Sequence, residues 1–230
     1  MEKQTLYTAI GHFQRSTTEK GSYPIVVVKG QEYMLDLQEM ILWTCLSWRI
    51  LSLEQLRPLY LQKVESLEVP ISRSFEAGVA RLVTRGLVAS GSGDTDYDAL
   101  YDMLAGLFVV PVSSSFPLRV LAFLKLTLRG HVPISRARRL FQADRPNAEE
   151  RRVLDLSRQA LLSTAELIKC VETGTYDVSS DDKLLSALYD DLGTTTQNIM
   201  YLMRDKPSAQ PTVTAVANLY LRQQIVFQRM

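Results

Sequence analysis

The signals that start helices constrain this chain more than any other feature. Asp36 is followed three positions on by Glu39, and Ser52 by Gln55, so each pair can close a capping box that satisfies the free N–H groups of a first helical turn. Apolar residues follow each box at helical spacing: Met40, Ile41, Trp43 and Leu46 after the first, and Leu53, Leu56, Leu59, Tyr60 and Val64 after the second. Pro58 lies inside the second pattern, where it kinks a helix or delays its start. Ser72 is placed to cap a third helix, whose buried stripe reads Phe75, Val79, Leu82 and Val83. Gly86 supplies a left-handed stop, Leu87-Val88-Ala89 a short strand, and Ser90-Gly-Ser-Gly93 a turn.

On the N-terminal side, Pro24 to Val28 is a β-branched run, Lys29-Gly30 breaks it, and Gln31 to Leu35 resumes, the pattern of a short β-hairpin. On the other side, Asp94 or Thr95 caps a helix through Tyr97, Leu100, Tyr101 and Leu104, and Leu107 to Pro111 reads as extended. Ser113 to Pro117 is polar and ends in proline, as linkers do. Helical patterns dominate thereafter: Leu118 to Leu128, a basic helix from Ser135 to Gln142, and a long one capped by Asn147. This long helix carries Glu149 and Glu150 in its first turn, a stripe of Leu154, Leu161, Ala165 and Ile168, and a stop at Gly174. Further helices are expected over 180–193, 194–204 and 212–227. The last is apolar on nearly every side, which suits either the centre of a bundle or a homodimer interface. No internal repeat of fixed period stands out. The expected fold class is mainly α, with a helical bundle over 118–230, a linker at 113–117 and an N-terminal domain over 1–112.

Composition excludes several classes. With 230 residues, 46% of them hydrophobic and 22% charged, the chain can bury a full core and is neither disordered nor collagen-like. Cys45 and Cys170 have no paired spacing, which points to a reducing compartment rather than a disulfide scaffold. The opening residues lack a continuous apolar run, and Leu118 to Leu128 is short and interrupted by Arg119 and Lys125. Neither secretion nor a membrane is expected, and the cytoplasm is the expected location. The net charge of +1 hides strong local differences. Residues 94–117 hold four aspartates (Asp94, Asp96, Asp98, Asp102) and no basic group, whereas residues 118–152 hold nine basic groups and three acidic ones. The basic block is either a solvated face paired with those aspartates or a polyanion contact.

The three capped helices, ending Arg81-Leu-Val-Thr-Arg-Gly86-Leu87-Val88, resemble the winged helix-turn-helix of bacterial transcription regulators over residues 36–93. That resemblance implies a winged-helix-like N-terminal domain whose third helix, residues 72–85, lies in the major groove of duplex DNA. Ser72, Arg73 and Ser74 would then reach bases and phosphates at the helix start, and Arg81 and Arg85 would contact the backbone or hold the wing. Arg136, Arg138 and Arg139 form a second candidate contact; they can equally dock on Asp94 to Asp102 or on another subunit. The plainer reading of the arginines at 73, 81 and 85 is ion pairing with Glu54, Glu65 or Glu76. The family's wing carries Lys or Arg where this chain has aspartates, and winged-helix folds also serve as protein-binding modules.

Catalytic chemistry is hard to place. The histidines are His12 and His131, far apart, and no nucleotide-binding or nucleophile motif is present. Asp94-x-Asp96-x-Asp98 opens like a calcium loop, but Ala99 and Ala105 stand where such a loop needs Gly and Glu. Cys45 reads as a buried small hydrophobe and Cys170 as inert. The sequence therefore predicts a non-enzymatic, homodimeric regulator without cofactor or metal, binding duplex DNA, with a protein-protein interaction module as the alternative.

Overall fold

Both capping boxes form. The Glu39 N–H donates to Asp36 Oδ1 at 2.9 Å and the Asp36 N–H donates to Glu39 Oε2 at 3.1 Å. Ser52 and Gln55 exchange the same two bonds at 3.3 and 3.1 Å. The computed structural model describes residues 3–18, 21–112, 146–191 and 193–229. In chain order the elements are β1 (Gln4–Ala9), β2 (His12–Thr18), β3 (Gly21–Val28), β4 (Gln31–Met34), α1 (Leu37–Leu46), α2 (Leu53–Ser66), α3 (Phe75–Thr84), β5 (Val88–Gly93), α4 (Asp96–Leu104) and β6 (Phe108–Pro111). There follow α5 (Ala148–Gln159), β7 (Leu162–Ser163), α6 (Thr164–Glu172), α7 (Asp181–Tyr189), α8 (Ile199–Met203), α9 (Ala209–Leu221) and β8 (Ile225–Gln228). The expected linker at 113–117 and the helices over 118–128 and 135–142 lie outside the described residues.

The fold is mixed α/β with three small sheets, which corrects the expectation of a mainly α chain ending in a helical bundle. Several local corrections explain the difference. Residues 4–18, which carried no clear pattern, form β1 and β2, and β2 adds a third strand to the expected hairpin. Lys29 and Gly30 both take positive φ, as a two-residue hairpin turn requires. The helix expected over 212–227 ends at Leu221 because Gln223 enters the left-handed region at φ 61°, and residues 225–228 become a strand. The helix expected over 147–174 is two helices: Ser163 and Glu166 form their own capping box and restart it, leaving Leu161 of the supposed stripe 49% exposed. Helix α3 is capped by Ser74, two residues later than expected, while α2 starts on time and runs through Pro58.

A structural repeat without a fixed sequence period becomes visible at this level. In the first unit, α1 leads through Leu51 into α2, then α3 and β5; β1 lies between Leu51 and β5, with Tyr7 bridged to Leu51 and opposite Ser90. In the second unit, α5 leads through β7 into α6 and eventually α9 and β8; β6 lies between β7 and β8, with Val109 opposite both Leu162 and Phe227. Asp36 and Ser52 are as far apart as Asn147 and Ser163, and all four cap helices with a reciprocal carboxylate or amide. Helix endings also match. The Leu87 N–H bonds to Leu82 O and the Gly86 N–H to Val83 O, just as the Gln224 N–H bonds to Leu219 O and the Gln223 N–H to Tyr220 O. Gly86 and Gln223 hold the same left-handed position at φ 71° and 61°. The sequence hid this because the second unit carries α7 and α8 between its second and last helices, so no fixed period survives.

The units share one continuous core. Tyr220 of α9 is buried, accepts the Trp48 N–H at 3.0 Å, and its hydroxyl lies 3.3 Å from Ala9 O and Leu46 O of the first unit. The residues that suggested a subunit interface, among them Val213, Val216, Leu219, Ile225 and Phe227, are buried within the chain. Both cysteines are buried, and burial raises the Cys45 thiol and pushes Cys170 up to about 11.

Residues 90–93 belong to β5 rather than to a turn. Gly91 and Gly93 face α4, which lies so close that a Cβ on Gly91 would stand 2.1 Å from the Met103 backbone nitrogen and one on Gly93 2.4 Å from that of Ala99. Asp102 completes the contact by accepting the Ser92 N–H at 2.9 Å. Gly91→Val is expected to destabilise the protein by about 3 kcal/mol or more, because backbone must move to admit the side chain. Gly193→Ala, which meets nothing within 4 Å, should shift stability by less than about 1 kcal/mol. Urea unfolding midpoints of the two variants test this contrast.

Candidate functional site

The arginines that define the DNA-binding reading converge on one buried carboxylate. The Glu39 side chain is 2% exposed, since α1 presents it toward α3 from the third position of its capping box. Its Oε1 accepts Arg81 Nε at 2.7 Å, and its Oε2 accepts Arg85 Nη1 at 2.6 Å. Arg85 also donates to Met34 O at 2.7 Å and sits over the Tyr33 ring. Arg73 pairs with Asp36 at 2.6 Å and lies 3.9 Å from Glu39. Burial by itself would raise the Glu39 carboxyl; hydrogen bonds from Arg85, Arg81 and the Asp36 cap outweigh it and hold the group below its ordinary value. Asp36 is lowered in the same way, its desolvation outweighed by the Glu39 backbone bond and by Arg73.

The serines are also engaged. Ser72 donates its hydroxyl to Gln38 Oε1 at 2.6 Å and its N–H to the same oxygen at 3.0 Å, while Ser74 Oγ accepts the Ala77 N–H. Ion pairing was thus the right chemistry for the arginines with a different partner. Of the acids named, Glu76 pairs with Arg57, and Glu39 escaped notice because its capping role already accounted for it. Arg136, Arg138 and Arg139 lie outside the described residues. Among the aspartates of the acidic stretch, Asp98 pairs with Arg204 at 3.0 Å and Asp102 binds β5. No group of residues able to hold a metal ion occurs among the described residues.

The second unit repeats the lock. Glu150 occupies the same capping-box position in α5, its side chain is fully buried, and its Oε2 accepts Arg222 Nη1 at 2.9 Å. Arg222 caps the end of α9 as Arg85 caps the end of α3.

A different site lies between the units. A cavity of about 510 Å³ opens beside the β1–β2 corner, lined by Trp43, Trp48, Tyr220 and Val226 together with His12, Phe13 and Ser47. Trp48 holds φ 58° as the third residue of a type II turn, after Ser47 at φ −61° and ψ 123°, closed by the Arg49 N–H on Leu46 O at 3.1 Å, and its own N–H donates to the Tyr220 hydroxyl. The Trp43 indole N–H donates to Ile10 O at 3.2 Å, which anchors that side chain. Tyr220 stacks against Phe227 at 4.4 Å and against Trp48 at 6.1 Å. Burial raises the Tyr220 phenol, so it stays protonated across the physiological range. The only sequence sign of this cavity was the pairing of Trp43 with Trp48, since His12 and Phe13 lay in a stretch without a pattern. No known protein family, curated protein or solved structure matches the chain.

Breaking the first lock should be costly. Glu39→Gln leaves three guanidinium groups around an uncharged amide and is expected to lower stability by about 2–4 kcal/mol at neutral pH. Because Glu39 and Asp36 titrate below their unfolded values, their contribution is complete above about pH 5 and is lost as the pH falls toward their depressed native values. Urea midpoints measured from pH 7 to pH 3 should fall less steeply in Glu39→Gln than in the native protein. Equal slopes would mean that the lock contributes nothing.

Proposed function

We propose that this chain is a non-enzymatic protein-interaction module built on two winged-helix-like units, and that α3 does not read duplex DNA. The observation that carries this reading is the direction of the α3-region arginines, which turn inward onto Glu39 and Asp36. The exposed positions of α3 are Glu76, Ala77, Ala80, Arg81 and Thr84, a face with one cation that is itself bonded to Glu39. Phosphate binding needs cations free to replace counterions. The strand arrangement supports the same reading: β5 passes directly to the Thr95 cap of α4, and its neighbour is β1 from the N-terminus rather than a returning wing strand. The two free, buried thiols support a cytoplasmic setting. Among the described residues no helix is long and apolar enough to cross a membrane.

Duplex DNA remains a second reading on one observation, the excess of basic groups over residues 118–152. It would act through Arg136, Arg138 and Arg139 and not through α3. A gel-shift assay with random duplex DNA at about 50 mM salt separates the readings. The interaction-module reading expects no retardation at micromolar protein, and crosslinking in the producing cells should yield a stoichiometric protein partner. Retardation that weakens in Arg81→Ala, with unchanged melting temperature, would restore α3 as the DNA reader. Retardation abolished by replacing Arg136, Arg138 and Arg139 together would favour the second reading.

A further inference from the structure

We infer that the cavity between the two units is a binding site for a planar, uncharged aromatic molecule, a property independent of whether the chain binds protein or DNA elsewhere. Its volume of about 510 Å³ falls within the range of small-molecule sites. Trp43, Trp48, Tyr220 and Phe13 are among its lining, and aromatic surroundings of this kind favour a flat apolar body. Among the described residues no Asp, Glu, Lys or Arg lines the cavity, so an ionised ligand would lose hydration without gaining a partner. His12 and Ser47 offer hydrogen bonds within the lining, enough to orient one polar group.

Two features mark a built site rather than a packing defect. The turn closed by the Arg49 N–H on Leu46 O and the bond from the Trp48 N–H to the Tyr220 hydroxyl together hold the Trp48 ring beside Tyr220. The walls are also fixed by polar anchors on their far sides, Trp43 through Ile10 O and Tyr220 through Trp48 N, Ala9 O and Leu46 O. Phe13 is 48% exposed at the opening, positioned to cover an occupant. The walls come from both units, with Trp43 on α1 and Trp48 just after it while Tyr220 and Val226 belong to α9 and β8. A bound ring would therefore bridge them and stabilise their mutual arrangement.

The chain has two tryptophans, and both line this cavity, so their emission responds to an occupant and the cavity-filling variants below separate it from a probe bound elsewhere. The probe is N-phenyl-1-naphthylamine, a neutral fluorophore that accepts energy from tryptophan, titrated beside its sulfonated relative 8-anilino-1-naphthalenesulfonate. The neutral probe is expected to quench tryptophan emission saturably at one equivalent and to raise the melting temperature, with the sulfonate at least about tenfold weaker. Ser47→Phe and Val226→Phe, which fill the cavity from the first and the second unit, should each weaken neutral-probe binding at least about tenfold. Melting curves identify which of the two stays folded, and either suffices. Quenching that never saturates, or that both folded variants leave unchanged, would overturn the site. Equal affinity for the two probes would overturn its assignment to uncharged ligands.

Discussion

The fold depends on a buried carboxylate held by an arginine from the far end of another helix. Removing a charge from water costs several kcal/mol, and only close, well-directed hydrogen bonds recover it. Glu39 meets that condition with bonds from Arg81 and Arg85 and with its own cap bond to the Asp36 N–H. The result ties the start of α1 to the last turn of α3, and Arg85 extends the tie to β4 through Met34 O. Such a pair need not add much net stability over an apolar replacement. Its value is positional: the carboxylate has one low-energy place, so α1 and α3 have one register against each other.

The recurrence of this contact in the second unit separates architecture from function. Glu150 and Arg222 occupy the same cap positions and make the same bond, while the residues between them differ and two extra helices intervene. An arginine just before a left-handed residue and a strand is therefore explained by the fold in both units. That arrangement, written as Arg85-Gly86-Leu87-Val88, was also the core of the resemblance to DNA-binding regulators. In the second unit the glycine is Gln223 and the pattern is unrecognisable, yet the helix ends with the same two backbone bonds. The motif reports how a helix turns into a strand and says little about what its outer face contacts.

The sequence was legible wherever a local rule sufficed. The caps at Asp36, Ser52, Thr95, Asn147 and Ser180, the hairpin turn at Lys29-Gly30 and the stop at Gly86 all follow from side chains within a few residues of the event. What failed needed partners distant in sequence. Residues 225–228 are apolar enough to extend α9, and only pairing with β6 makes them a strand. Gly91 and Gly93 look like a turn because the reason for glycine, the approach of α4, lies outside the segment. The cavity is the extreme case, since its walls come from Ala9 to Val226 and no stretch of sequence contains them together.

Duplication also explains why a cavity should sit where it does. The linker between the first two helices runs from Ser47 to Ser52 in one unit and from Ala160 to Ser163 in the other, and the two face different surroundings. The first linker meets α9 of the opposite unit, where the turn that sets Trp48 at positive φ also presents its N–H to Tyr220. Matching two units at such a junction cannot fill space as closely as the interior of either, because each surface was first constrained by its own lock and sheet. Aromatic rings, large and rigid, are the side chains that can wall such a gap without closing it. The cavity of about 510 Å³ lies at this junction, away from the buried arginine–glutamate bonds that fix each unit internally.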